Sequence, residues 1–307
     1  MCAFRIIALD GGGIRGVLTS ALLERLEKSQ PDLTSHANLI AGTSTGGILA
    51  LALASGLSPT EARTLYERLG GKVFKDSLWD NLVDLGQLRG AQYNNKTLKE
   101  ELTNTFGSMT LNDLKTQVVI SSFDLDNEAT GPGAFRSWKP KYFHNFPGTD
   151  SDGHERVVDV ALYTSAAPTF FPIYRGYIDG GVISNNPSMC AVAQALHPMT
   201  GKQKLRDIRL LSIGTGFNPK YLTASNEDWG LVQWAPHLVS LMLEGSMGLA
   251  DYQCKQILGN HYIRVNPVLP MEIGLDGVDK ITVMNTLASQ FDLNKAMTWL
   301  KRNFRPA

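Results

Sequence analysis

The chain has 307 residues, of which 43% are hydrophobic and 19% are charged. Its 29 Lys and Arg residues balance 29 Asp and Glu residues, and this zero net charge argues against a nucleic-acid-binding protein, which usually carries a basic stripe. The composition also excludes a mainly disordered chain, and the length is sufficient for a full hydrophobic core. Three cysteines at unrelated spacings indicate neither a disulfide framework nor a zinc site.

Short apolar strands alternate with helices along the chain. The predicted strands, in chain order, are residues 4–9, 38–41, 118–123, 177–178, 210–213 and 262–265. The predicted helices are residues 17–28, 46–54, a helix that begins at Ser58-Pro59, and 96–106, 187–197, 235–256 and 281–303. Strands alternating with helices predict an α/β fold with a largely parallel sheet.

We expect one domain over residues 1–307, because no repeat, low-complexity tract or linker divides the chain. Two segments, 70–95 and 124–155, are rich in Gly, Asn, Asp and aromatic residues. This composition predicts loops, and loops of this length are where a lid over a substrate could lie. Residues 217–307 are expected to form a helical C-terminal part.

The N-terminus lacks the architecture of a signal peptide, and no apolar run reaches the ~20 residues that a membrane span needs. We therefore expect a soluble cytoplasmic protein whose membrane contact is peripheral. Four apolar residues spaced along one face of a short predicted helix would either dock on a bilayer or pack in the core: Phe74, Leu78, Trp79 and Leu82. The apolar run 232–249 is interrupted by polar residues and predicts a buried helix.

The strongest local pattern is Gly42-Thr43-Ser44-Thr45-Gly46, a G-x-S-x-G sequence between an apolar strand and an apolar helix. Gly42 and Gly46 permit a tight turn that presents the Ser44 hydroxyl at the start of the helix. The helix N-terminus there favours a developing negative charge. This context predicts a nucleophilic serine, and the alternative is a structural turn whose serine caps the helix.

A second glycine loop, Asp10-Gly11-Gly12-Gly13-Ile14-Arg15-Gly16, also lies between a strand and a helix. The amides of Gly11, Gly12 and Gly13 could form an anion-binding nest, and hence an oxyanion hole for a reaction at Ser44. The same residues match the dinucleotide fingerprint G-x-G-x-x-G. That fingerprint requires an acidic residue at the end of the second strand, where this chain has the G-x-S-x-G sequence instead.

A nucleophilic serine needs a base. His197, His237 and His261 follow Ser44 in the order of an ordinary triad, but none lies in a glycine turn or beside another polar motif. Asp179 ends a predicted strand and is followed by Gly180-Gly181. Taken alone, this Asp indicates an Asx turn; together with the two glycine loops it becomes the leading candidate for the base.

These motifs together resemble the patatin-like phospholipases, a family of lipid acyl hydrolases. The resemblance is carried by the two glycine loops, extended to Gly47, and by Asp179-Gly180-Gly181. Three lesser stretches, 164–169, 185–187 and 212–216, follow in the order of the family. The matching region spans about residues 5–216, whereas 70–155 and 217–307 carry no usable family signature.

The resemblance implies a three-layer α/β/α fold and a Ser–Asp dyad that acts without a histidine, a metal or a cofactor. Ser44 would be the nucleophile, Asp179 the base, and the 11–13 amides the oxyanion hole. Arg15 would steady the loop or meet a phosphate head group, unless it is an ordinary surface arginine. The reaction would pass through a covalent acyl-enzyme that water hydrolyses, and the substrate would be a phospholipid or a related glycerolipid.

An aspartate in water, with a pKa near ~3.9, is a poor base toward a hydroxyl. The assignment of Asp179 therefore requires apolar surroundings, which residues 166–168 with Phe170 and Phe171 are expected to supply. Three alternatives stay open at this point. They are a carboxylesterase for short soluble esters, a nucleotide-binding regulatory protein, and an inactive relative that binds or stores lipid.

Overall fold

The computed structural model describes residues 3–73, 91–223 and 228–304. Within these residues the central sheet has seven strands: β1 (Phe4–Leu9), β2 (Leu39–Thr43), β3 (Gln117–Asp124), β4 (Lys139–His144), β5 (Tyr177–Asp179), β6 (Ile208–Ile213) and β7 (Tyr262–Val265). The order β4-β3-β2-β1-β6-β7 is parallel from β3 to β7, whereas β4 and β5 pair antiparallel with β3. The predicted α/β class is confirmed.

The helices lie on both faces of this sheet. They are α1 (Gly16–Ser29), α2 (Thr45–Ser55), α3 (Pro59–Val73), α4 (Asn95–Phe106), α5 (Val157–Ser165), α6 (Gly181–Ser184), α7 (Ser188–Leu196), α8 (Leu231–Leu258), α9 (Ile281–Gln290) and α10 (Asn294–Asn303). No helix among the described residues is both long enough and apolar enough to span a membrane.

Alternation along β1 shows how the three layers are held together. Ile7 and Leu9 join a core formed with α1 to α5, α9 and α10, whereas Ile6 and Ala8 join a second core formed with α7 and the end of α8. Successive side chains of a strand point to opposite faces, so a strand that is apolar throughout must be covered on both faces. Because Ile6 to Leu9 of β1 are apolar and buried at every position, this strand requires the α/β/α layering.

Three strands, β2, β4 and β5, pair with the two edges of β3. β2 pairs with residues 117–121 of β3, and β5 pairs with residues 122–124, while β4 pairs with residues 119–124. Because a strand has two edges, β2 and β5 share one edge of β3 and β4 occupies the other. β5 thus continues the sheet from the point where β2 ends.

The prediction that 124–155 is a loop is wrong over β4. This strand contains Pro140 between two lysines, a pattern that hides a strand from sequence reading and that suits the edge of a sheet. The residues that line the cavity containing Ser44 include none from 124–155. The other expected lid is the segment 70–95. Its residues 74–90, which include the four apolar residues of the predicted short helix, lie outside the described part of the chain.

Two other expectations need correction. The single helix predicted over 281–303 is two helices, α9 and α10. They are separated by an Asx turn, in which the Asn294 amide donates to Asp292 Oδ1 at 2.8 Å. The helix predicted to be buried over 232–249 is the first part of α8, where several apolar side chains are exposed.

Candidate active site

Ser44 lies in the turn between β2 and α2, with backbone angles φ 54° and ψ −125°. A non-glycine residue with positive φ is strained, as a serine at a strand-to-helix elbow is expected to be. The two flanking glycines make the turn possible. A Cβ at Gly42 would lie 2.2 Å from the Gly46 carbonyl oxygen, and one at Gly46 would lie 2.2 Å from that of Leu9.

Buried hydrogen bonds hold Ser44 in this conformation. The Ser44 amide donates to Thr164 Oγ1 at 2.8 Å, and the Thr164 hydroxyl donates to the Ser121 carbonyl at 2.6 Å. Thr43 donates to the Ser184 carbonyl at 2.6 Å. The elbow is therefore tied to β3, to the end of α5 and to α6, and these contacts offset the cost of the strained backbone.

Asp179 reaches Ser44 because of the position of β5. Thr43 is paired with Ser121 of β3, and Asp179 is paired with the next residue of β3, Ser122. Ser44 and Asp179 line the same cavity, and the Ser44 side chain is one of the groups that lower the pKa of the Asp179 carboxyl group. The structure thus brings together the two residues that the sequence predicts as nucleophile and base.

The turn after Asp179 packs directly against the sheet. A Cβ at Gly180 would lie 2.3 Å from the backbone of Ser121, so a larger residue would push the turn away from β3. The Gly181 amide donates to Asp179 Oδ1 at 2.7 Å. This bond fixes the orientation of the carboxyl group.

Burial raises the pKa of Asp179 to about 7, although hydrogen bonds from Ser44 and from the Gly181 amide lower it. Desolvation disfavours the charged form of a carboxyl group, and Asp179 is almost completely buried. A carboxyl group that titrates near neutral pH is suited to general-base catalysis. The desolvation that the sequence assignment requires is present.

The cavity in front of Ser44 is almost wholly apolar. Its volume is about 90 Å³. Besides Ser44 and Asp179 it is lined by Gly12, Gly13, Ile14, Thr45, Ile48, Tyr66, Leu69, Gly70, Val73, Leu98, Ser165, Ala167, Pro168, Phe170, Phe171, Val182, Asn185, Val239, Met242, Leu243 and Leu275. The expected contribution of Phe170 and Phe171 is confirmed, whereas sequence reasoning did not anticipate the wall formed by α8.

The glycine loop after β1 faces the same cavity, but its three glycines differ. Gly12 and Gly13 line the cavity beside Ser44. The Gly11 amide instead donates to the Asn185 carbonyl at 2.9 Å. The expectation that Gly11 supplies an oxyanion-hole amide is therefore corrected: its amide is already bonded and connects this loop to the segment after Asp179.

Arg15 lies beneath this loop and is not a surface residue. It is 3% exposed, and its Nε donates to the Gly12 carbonyl at 3.3 Å. Burial lowers the pKa of the guanidinium, although the nearby carboxylates of Glu244 and Asp10 raise it. The bond connects the Arg15 side chain to the backbone of the glycine loop.

A buried ion pair anchors the start of the loop. Arg264 on β7 donates to Asp10 Oδ1 at 3.2 Å and to Ser212 Oγ at 2.7 Å. Burial lowers the pKa of Arg264, but the attraction of its neighbours, Asp10 first among them, outweighs burial, and the pKa is raised above its usual value. Sequence reasoning missed this pair, because β7 lies far from Asp10 along the chain.

The histidines of the triad alternative do not reach the cavity. His197 is exposed and hydrogen-bonds with Thr200 Oγ1 at 3.1 Å, and His261 lies 3.1 Å from Arg209 Nη1. His237 stacks on Trp229 with ring centroids 5.7 Å apart. Within the described residues, no group of three or more His, Cys, Asp or Glu side chains is arranged to hold a metal ion.

These features define a class of proteins: α/β proteins in which a serine at a strand-to-helix elbow faces an apolar cavity, as in serine acyl hydrolases. The family model of the patatin-like phospholipases matches residues 7–192. The chain therefore belongs to the patatin-like phospholipase family. This membership supports a lipid-hydrolysing activity.

Individual proteins are similar to this chain. A cGAMP-activated phospholipase of Pseudomonas aeruginosa is 34% identical over 270 residues, which cover 86% of this chain and 78% of the relative. Protein teg of Priestia megaterium is 30% identical over 341 residues, which cover 99% of this chain and 100% of the relative. Among solved structures, VipD from Legionella pneumophila aligns with 92% of this chain and 67% of its own, with 13% identity and a TM-score of 0.39.

Proposed function

We propose that this protein is a metal-independent serine acyl hydrolase that releases fatty acids from phospholipids or related glycerolipids. The observation that carries the proposal is the placement of Ser44 and the buried Asp179 carboxyl group together in the wall of one apolar cavity. A strained serine, a carboxyl group with a pKa near 7 and a cavity that suits an acyl chain are the parts that ester hydrolysis needs.

In the acylation step, the ionised Asp179 accepts the proton of the Ser44 hydroxyl while Ser44 Oγ attacks the ester carbonyl carbon. The tetrahedral intermediate places its negative oxygen near the amides of Gly12 and Gly13, which line the cavity, where donors of this kind stabilise the developing charge. The intermediate collapses, the ester bond breaks, and the departing alcohol takes the proton from Asp179.

In the deacylation step, Asp179 accepts a proton from a water molecule, which attacks the acyl-serine carbonyl. The second tetrahedral intermediate breaks to a free fatty acid, and the proton returns from Asp179 to Ser44. One ester and one water thus yield one fatty acid and one alcohol, and no cofactor enters the balance.

The structure disfavours the nucleotide-binding alternative for the glycine loop. Two amides that a phosphate nest would use are bonded to protein carbonyls: Gly11 N to Asn185 O at 2.9 Å, and Ile14 N to Leu275 O at 2.7 Å. A carboxylesterase for short esters remains the runner-up, because the same dyad would serve it. The length of the acyl chain that is hydrolysed best distinguishes the two enzymes.

The test is fatty-acid release from phosphatidylcholine vesicles and from a short-chain nitrophenyl ester, both with a chelator present. We expect Ser44→Ala and Asp179→Ala to lower the rate at least ~10³-fold, and His197→Ala to retain it. Each protein is assayed with and without cGAMP, because the P. aeruginosa relative is named for activation by that nucleotide.

Hydrolysis of vesicles faster than of the soluble ester supports a lipase, and the reverse supports the carboxylesterase. An undiminished rate in Ser44→Ala, or no release by the wild-type protein from either substrate under both conditions, would refute the proposed function.

A further inference from the structure

The first half of α8 exposes a row of large apolar side chains to solvent. The row, called here the α8 face, consists of Leu231, Val232, Trp234, Leu238, Leu241 and Met242. Leu231 and Val232 are 77% and 84% exposed, and the other four lie between 40% and 49%. Several large apolar side chains exposed on one stretch of helix mark a site of contact with another apolar surface.

This stretch of helix also lacks charge. Between Leu231 and Leu243 the only ionisable residue is His237, and its ring stacks on Trp229. Trp229 packs edge-on against Trp234, with ring centroids 5.1 Å apart. Tryptophan is enriched where a protein meets the interface of a bilayer, because its ring is apolar and its N–H is polar.

The α8 face is continuous with the cavity that contains Ser44. The same turns of the helix contribute Val239, Met242 and Leu243 to the cavity wall. Leu243 packs against the turn after Asp179, since a Cβ at Gly181 would lie 2.7 Å from Leu243 Cδ2. These turns therefore contribute both to the cavity wall and to the solvent-exposed surface, and Met242 belongs to both.

The loop after α5 also contributes apolar side chains to the cavity wall. Pro168, Phe170 and Phe171 line the cavity, and Ile173, two residues beyond Phe171, is 60% exposed. An acyl chain that passes the α8 face to reach the cavity would meet no charged side chain of that face.

We propose that the α8 face docks the protein on the surface of a lipid bilayer and places the cavity mouth against the acyl chains. This inference rests on the proposed function, since it supplies the route by which a lipid ester reaches Ser44. A lipid surface is favoured over a second copy of the chain because the same turns of α8 form the cavity wall. Docking there brings the substrate to the cavity, whereas a protein partner would cover its approach. The uncharged face predicts binding to zwitterionic vesicles.

The experiment measures cosedimentation of the protein with phosphatidylcholine vesicles. Val232→Glu and Leu238→Glu each place a charge on the α8 face without altering a residue that lines the cavity. We expect each to weaken vesicle binding about ten-fold or more, because a side chain of this size contributes that much when it is removed from water. Hydrolysis of the soluble nitrophenyl ester should be unchanged.

The matched control is Leu205→Glu. Leu205 is also exposed, at 40%, but it precedes β6 and so lies at the opposite end of the sheet from the elbow. It should bind vesicles as the wild type does. Equal loss in all three variants, or no loss in the two α8 variants, would overturn the proposal.

Two further measurements separate docking from catalysis and from self-association. Ser44→Ala should bind vesicles like the wild type even if no ester is hydrolysed, so a failure of the proposed chemistry does not hide the result for docking. Sedimentation velocity of the wild type and Val232→Glu tests the second-copy alternative. A wild-type dimer that Val232→Glu converts to a monomer with unchanged vesicle binding would refute docking.

Discussion

Replacement of Asp179 by Asn should make the protein more stable and nearly inactive, and the gain in stability should depend on pH. Burial raises the pKa of Asp179 from 3.8 to about 7 in the folded protein. Between these two values the folded state binds the proton more tightly than the unfolded state does. The free energy of unfolding therefore falls as the pH rises through this window, and the full cost is present above about pH 7.

The size of the effect follows from the same pKa values. Each pH unit between them costs about 1.4 kcal/mol, so ionised Asp179 lowers the stability of the folded protein by about 4 kcal/mol at alkaline pH. About 3 kcal/mol of this cost develops between about pH 5 and about pH 8.5. An Asn side chain carries no charge, and its oxygen can still accept from the Gly181 amide.

The assay is urea unfolding of the wild type and Asp179→Asn at these two pH values. We expect the variant to exceed the wild type by about 3 kcal/mol more at the higher pH than at the lower pH. Its kcat on the soluble ester should fall ~10²-fold or more, because the base is absent. In the wild type, kcat/KM should rise with pH through about 7, since only ionised Asp179 accepts the proton of Ser44.

Asp292→Asn is the matched control, because Asp292 is exposed and makes only the Asx turn before α10. It should unfold and catalyse as the wild type does. If the difference in stability between Asp179→Asn and the wild type does not change with pH, Asp179 is not a desolvated carboxyl group. The reasoning that makes it the base would then be wrong.

Two further changes test the supports of the site. Arg264→Met removes one partner of the buried ion pair and should destabilise the protein by about 3–5 kcal/mol in urea unfolding, because Asp10 is left without its counter-ion. The double variant Arg264→Met with Asp10→Asn should recover part of this stability. No recovery in the double variant would refute the pairing. Thr164→Val removes the oxygen that accepts from the Ser44 amide, and should cost about 1–3 kcal/mol of stability and lower kcat more than it raises KM. Unchanged kinetics in that variant would show that the elbow does not depend on Thr164.

Local patterns in the chain predict those parts of the site that one short segment encodes. The strand predicted over 4–9 is observed as Phe4–Leu9, because a run of apolar residues followed by Asp-Gly leaves few alternatives. The elbow is predicted because the Gly residues on both sides of Ser44 are required sterically within five residues of chain. The role of Asp179 is a weaker prediction, since a lone Asp-Gly turn has many structural uses.

Other features depend on segments that are distant along the chain. Asp179 lies beside Ser44 because β5 pairs antiparallel with β3 at the point where β2 ends, and no local pattern encodes that register. The Gly11 amide is bonded because Asn185 lies opposite to it. The pKa of Asp179 likewise depends on its burial by neighbouring elements.

The sequence by itself determined the α/β class, the two glycine loops and the candidate nucleophile and base, because strand hydrophobicity and glycine sterics act over a few residues. Only the tertiary structure decided which amides of the glycine loop face the cavity, and which side of α8 is exposed. Both depend on the free energy of packing between distant segments. For that reason an apolar run such as 232–249 reads as buried in the sequence, whereas in the folded protein several of its side chains are exposed and three line the cavity.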